Sequence, residues 1–190
     1  MMKTKPTHIL YKWNVWVFLL LLAITGCQEH SPIADRLQQA ETVMNEHPDS
    51  ALNILKDISG SDLRIKEHRA RHALLYSQAL DKNYIDLTND SLINIAVDYY
   101  KDKDDVKSKF HAYYYLGRIY TNANKLTQAT LAYMEAEQLV DELNDNYLAG
   151  LLYNQLGDIY EEYYDFPKAL ESYQYSTEYY HKAIKYMTKI

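Results

Sequence analysis

The chain is poor in the residues that turn a backbone. Among 190 residues there are 5 glycines, 4 prolines and 1 cysteine, against usual shares of about 7% glycine and about 5% proline. Sandwiches, barrels and glycine-rich phosphate loops need positive φ at many points, so this composition excludes them. With one cysteine no disulfide can close within the chain. Basic charge is also scarce: 20 Lys and Arg stand against 26 Asp and Glu, for a formal charge of -6. The charges before residue 27 are all lysines (Lys3, Lys5, Lys12), which leaves 17 basic against 26 acidic side chains in the remainder. Such a surface repels polyanions and argues against nucleic acid as a partner. What the chain does have is 47% hydrophobic residues, 20 of its residues being tyrosine. That is enough for one buried core, built from helices joined by short turns.

Residues 1–26 read as a targeting segment, with a basic start, an apolar run from Val15 to Ile24 and the small residues Thr25 and Gly26. A ten-residue helix covers about 15 Å, half of a bilayer core of about 30 Å, and is short for a membrane span. The run Ile24-Thr25-Gly26-Cys27 resembles a bacterial lipobox. The resemblance implies cleavage before Cys27 and acylation (palmitate) of its thiol, which would hold the protein at a membrane through about 0.8 kcal/mol per buried methylene. An ordinary secretory signal, or an uncleaved anchor reaching back through Ile9 and Leu10, is the alternative. Gln28 follows the cysteine, so the rule that an aspartate there retains lipoproteins at the inner membrane does not apply, and the expected location is the cell envelope, at the outer membrane.

After a tether over 27–32, periodicity divides 33–190 into four helical hairpins. The expected helices are 33–46 with 49–58, 62–81 with 89–101, 104–121 with 125–143, and 147–163 with 167–188. Pro48 suits a first helical turn, Thr88, Asn89 and Asp90 can cap the helix after them, and Asp102, Asp104 and Asp105 the next.

The last two hairpins repeat each other. Tyr113, Leu116, Gly117, Tyr120, Ala129, Tyr133 and Ala136 recur 40 positions later as Tyr153, Leu156, Gly157, Tyr160, Ala169, Tyr173 and Ser176. Residues three and four apart share one helix face, so each set forms two facing stripes in which small residues let backbones approach while rings fill the gaps beside them. A glycine inside a helix costs about 1 kcal/mol relative to alanine, so Gly117 and Gly157 each require a close contact in return. The pattern resembles the tetratricopeptide repeat. It departs from that family in its 40-residue length and in having Asp141 and His181 where a closing proline usually stands. Matches in the first two hairpins are weaker: Ser50, Ala51, Leu52, Leu55 and Ile58, then Ala73, Leu75 and Ala79.

The resemblance implies an all-α, right-handed superhelix of about four helix-turn-helix hairpins, whose first helices line a concave face that binds a segment of another protein. On the family's pattern the exposed, partner-facing positions are His111, Tyr114, Arg118, Thr121 and Asn122 on the third hairpin, and Leu151, Asn154, Asp158, Glu161 and Glu162 on the fourth. Arg118 beside Asp158 and Glu161 argues against a groove reserved for acidic peptide ends.

No constellation for catalysis is visible, and neither an enzyme activity nor a cofactor or metal is expected. His68 and His72 lie four apart on a helix, but no glutamate follows His68 as the zinc-protease motif requires. The aspartates at 102, 104 and 105 lack the glycine and final glutamate of a calcium loop. No Gly-x-Ser-x-Gly elbow is present. The last helix keeps presenting apolar groups at Tyr179, Tyr180, Ala183, Ile184, Met187 and Ile190, which calls for a homo-oligomer, a partner or a continuation of the array. The functional expectation is a membrane-anchored scaffold of the bacterial envelope that binds a protein or peptide. The alternative is the sensory portion of a longer or split signalling protein.

Overall fold

Helix formation follows the apolar stripes. The computed structural model describes residues 32–187, so the leader, Cys27 and the tether up to Ser31 lie outside the described residues, as does Ile190. Among the described residues there are nine helices and no strand: α1 (Pro32–Val43), α2 (Pro48–Lys56), α3 (Lys66–Lys82), α4 (Ser91–Tyr100), α5 (Val106–Asn122), α6 (Leu126–Glu137), the single turn α7 (Val140–Leu143), α8 (Asn146–Glu162) and α9 (Phe166–Met187). The fold is all-α, as expected. One expected helix, 125–143, is interrupted at Gln138 and Leu139 and resumes as α7.

Each odd gap in the sequence marks a hairpin turn. The helices pair as α1 with α2, α3 with α4, α5 with α6, and α8 with α9; α5 then packs on α3 and α4, and α8 packs on α6. Two apolar clusters result, one from α1, α2 and part of α3, the other running from α3 through α8. From Pro32 onward the chain is one unit.

The 40-residue period reaches further than the residue types indicate. The first helices α3, α5 and α8 begin at 66, 106 and 146 and end at 82, 122 and 162. Each is followed by one residue in the left-handed region, Tyr84, Asn124 and Tyr164, with φ of 57°, 55° and 59°. The amide after each turn donates to the carbonyl five residues back: Ile85 to Leu80, Lys125 to Tyr120 and Asp165 to Tyr160, at 3.0, 2.8 and 2.9 Å. Three hairpins therefore share one design, and the 66–100 pair belongs with the other two.

Packing explains the glycines. A Cβ on Gly117 would lie 2.3 Å from Tyr133 Cε1, and one on Gly157 would lie 2.4 Å from Tyr173 Cε1. Each ring lies flat on the helix where a side chain is missing. In the hairpin of α3 and α4 the same two positions hold Ser77 and Ile93, both buried, so a larger floor meets a smaller lid. Gly150 is covered likewise by the ring of Tyr180. Of the repeated core positions, Leu116, Gly117, Ala129, Tyr133, Ala136, Leu156, Gly157, Ala169 and Ser176 are buried, and Tyr113, Tyr120, Tyr153, Tyr160 and Tyr173 are half-buried. Tyr179 stacks on Tyr153 at 5.5 Å. Tyr179 and Tyr180 are thus occupied within their own hairpin rather than awaiting a cover.

Candidate functional site: a groove along the first helices

The largest concavity among the described residues, about 690 Å³, runs across α1, α3, α5 and α8. Its lining follows the repeat. Glu67, Lys107 and Tyr147 occupy one register position, Arg71, His111 and Leu151 the next, and Leu75 and Tyr115 the one after. Side chains four apart continue along one helix face, so equivalent residues of successive hairpins form parallel rows. Met44 of α1 and Tyr99 and Tyr100 at the end of α4 close the sides.

The groove mixes rings with both signs of charge. Arg71 donates to Gln38 Oε1 at 2.7 Å and pairs with Glu41 at 2.5 Å, which fixes α3 to α1 and neutralises that cation. His111 stacks on Tyr115, centroids 6.1 Å apart, and meets Phe110 edge-on at 5.9 Å. Burial, reinforced by the ammonium of Lys107, holds the imidazole down at about 4, while Asp145 and Glu41 pull weakly the other way. At neutral pH His111 is therefore an uncharged group with one donor and one acceptor. Burial also raises the Tyr115 phenol and pushes Tyr100 up to about 12, so both remain protonated donors. Such a surface can take up an apolar or aromatic side chain and hydrogen-bond to a peptide backbone.

Not all of the expected partner-facing residues are in the groove. His111 and Leu151 are. Tyr114, expected to be exposed, is 7% exposed and stacks on Phe110 at 6.1 Å, with Tyr133 at 6.0 Å on its other side. A step of three residues turns the side chain about 60° back from His111, toward α6, whereas the step of four to Tyr115 continues the groove. Arg118 bonds Asp81 Oδ1 at 2.9 Å and Gln155 Oε1 at 2.8 Å, so it ties three hairpins together. Thr121 donates to the Gly117 carbonyl at 3.0 Å, and its hydroxyl lies 3.3 Å from that of Tyr133. Asn122 lines a small recess with Asp81 and Arg118. Asn154 donates to Asp158 at 3.3 Å. Asp158, Glu161 and Glu162 lie apart from the groove, beside a second cleft.

Glu67, Arg71, Lys107, Tyr115 and Tyr147 were missed. The signal for Arg71 was in the sequence, since it stands 40 residues before His111, but it is useful only once the third hairpin is recognised as a repeat. His72, considered with His68 as a metal pair, has its Nε2 3.0 Å from the Leu55 carbonyl oxygen and stacks on Tyr76. Among the described residues no three His, Cys, Asp or Glu side chains are grouped to hold a metal, and no helix is long and apolar enough to cross a membrane. Comparison with protein-family models, with curated proteins and with solved structures finds no match to this chain.

Proposed function

We propose that this protein is a tetratricopeptide-like scaffold, anchored to a bacterial envelope membrane through a lipid on Cys27, that holds a segment of another protein in the groove along α3, α5 and α8. The observation that carries this reading is the row structure of the groove. Residues at the same repeat positions, Lys107 with Tyr147 and His111 with Leu151, face one continuous concavity. Repeat arrays present extended binding surfaces in this way, because each unit turns the same side chains toward the same side. Tyrosines supply wide contact at low entropic cost, and the uncharged His111 avoids burying a charge beneath a bound chain.

A photo-crosslinking residue at position 147, in cells, tests the proposal. Expected is one discrete adduct with another envelope protein, lost when Lys107→Glu is added, while the same residue at the outward-facing Leu131 gives none. Equal adducts from both positions, or none from 147, contradict groove binding. In the same cells Cys27→Ser should release the protein from the membrane fraction; unchanged fractionation contradicts the lipid anchor.

A further inference from the structure

The repeat shows how each hairpin covers the one before it, and so what the outer face of the last hairpin is built to receive. Asp81, at the end of α3, is met by Arg118 of the following hairpin at 2.9 Å. Asp90, at the start of α4, accepts from Tyr120 of that same hairpin at 2.8 Å. One hairpin on, Arg118 and Tyr133 both reach Gln155 of α8, at 2.8 and 3.4 Å. Moving each position forward by 40 residues places Glu161 where Asp81 stands, Leu170 where Asp90 stands and Asp158 where Arg118 stands.

On the last hairpin these groups have no covering helix among the described residues. The Tyr173 hydroxyl lies 2.9 Å from both Asp158 Oδ1 and Glu161 Oε2. One phenolic proton can serve only one of two carboxylates at a time. Beside them Leu170 is 59% exposed and Phe166 60% exposed. In the interior of the stack the carboxylate at this repeat position is matched by an arginine from the helix that covers it. Here two carboxylates wait beside an apolar surface. The opposite sign is what complements them.

We propose that the face formed by Asp158, Glu161, Leu170 and Tyr173 docks an amphipathic helix of a partner protein, laid across α8 and α9 as α5 lies across α3 and α4, with a lysine or arginine aimed at the two carboxylates. This face is separate from the groove, and the proposal stands whether or not the groove binds a chain.

The probe is a synthetic peptide reproducing Val106–Asn122, the helix that covers the equivalent interior face and carries Arg118. It is held helical by a hydrocarbon staple on the side away from the contact, and it is titrated against the full chain by fluorescence anisotropy. Expected is saturable binding, weakened about tenfold by Arg118→Gln in the peptide, which corresponds to about 1.4 kcal/mol. In the protein, Asp158→Asn with Glu161→Gln should weaken binding by a similar factor and remove the discrimination between the two peptides, and Leu170→Glu should abolish binding of both. A stapled Asn146–Glu162 peptide, with Asp158 in the arginine's place, should bind no better than the Arg118→Gln peptide. Absence of binding, or equal binding by the arginine and glutamine peptides, overturns the proposal. So does a concentration-dependent dimer of the protein alone that Leu170→Glu dissolves, since the face would then belong to a second copy.

Discussion

His111 lies at the floor of the groove with its imidazole held at about 4, below the ordinary value of 6.5, chiefly because burial disfavours the charged ring. In the unfolded chain the same group takes up a proton near 6.5, so between about 6.5 and 4 the unfolded state binds more protons and folding stability falls as pH falls. From pH 7.5 to pH 5 this one residue should remove about 2 kcal/mol. His72 is lowered by burial as well and adds a slope of the same sign. The expected result is that His111→Gln flattens the pH dependence of denaturant unfolding over this range by about that amount, and an unchanged slope would mean that the ring is not shielded. Residue type alone marked His111 and Leu151 as groove residues, because the resemblance supplied their positions. It misplaced Tyr114: a tyrosine three places along looks as accessible as one four places along until the helix is set against α6, where the first is enclosed and the second faces the groove.

Helix ends carry the repeat as firmly as helix faces do. Asp105 accepts from the amide of Ser108 at 3.0 Å, and Asp145, 40 residues later, from those of Tyr147 and Leu148 at 3.0 and 3.1 Å. A carboxylate there satisfies amides that have no partner in the first turn and lies at the positive end of the helix dipole. Asp105→Ala and Asp145→Ala should each cost about 1 kcal/mol in thermal or denaturant unfolding, and a loss in only one of them would separate the two hairpins. The caps and the first-helix boundaries were legible, because aspartate before an apolar stripe has few other uses. The left-handed turns were not. Asn124 suits positive φ, but Tyr84 and Tyr164 hold the same conformation, which side chains with a Cβ normally resist. A sequence search for glycine or asparagine at that point passes over two hairpins of three. Nor was the break at Gln138 legible, since nothing there is proline or glycine.

At the scale of the molecule, one 40-residue hairpin is used three times, and each copy is closed by a large side chain laid over a small one. The pairs are Gly117 with Tyr133, Gly157 with Tyr173 and Ser77 with Ile93. The first two were readable because glycine inside a helix needs a reason. The third was not, because serine and isoleucine are ordinary in any amphipathic helix and their relation appears only when both partners are placed. The same arrangement sets the parallel rows of the groove and leaves the face of α8 and α9 in the form that an incoming helix would match. A double-mutant cycle on the middle hairpin tests this most directly. Gly117→Ser alone should destabilise by about 1–3 kcal/mol through overpacking against Tyr133, and Tyr133→Ile alone by a similar amount through lost burial. Together they install the pair that the preceding hairpin already uses, so the double variant should be more stable than the sum of the two losses predicts, by more than about 1 kcal/mol. Losses that simply add, to within about 0.5 kcal/mol, would contradict the claim that the three hairpins are one design.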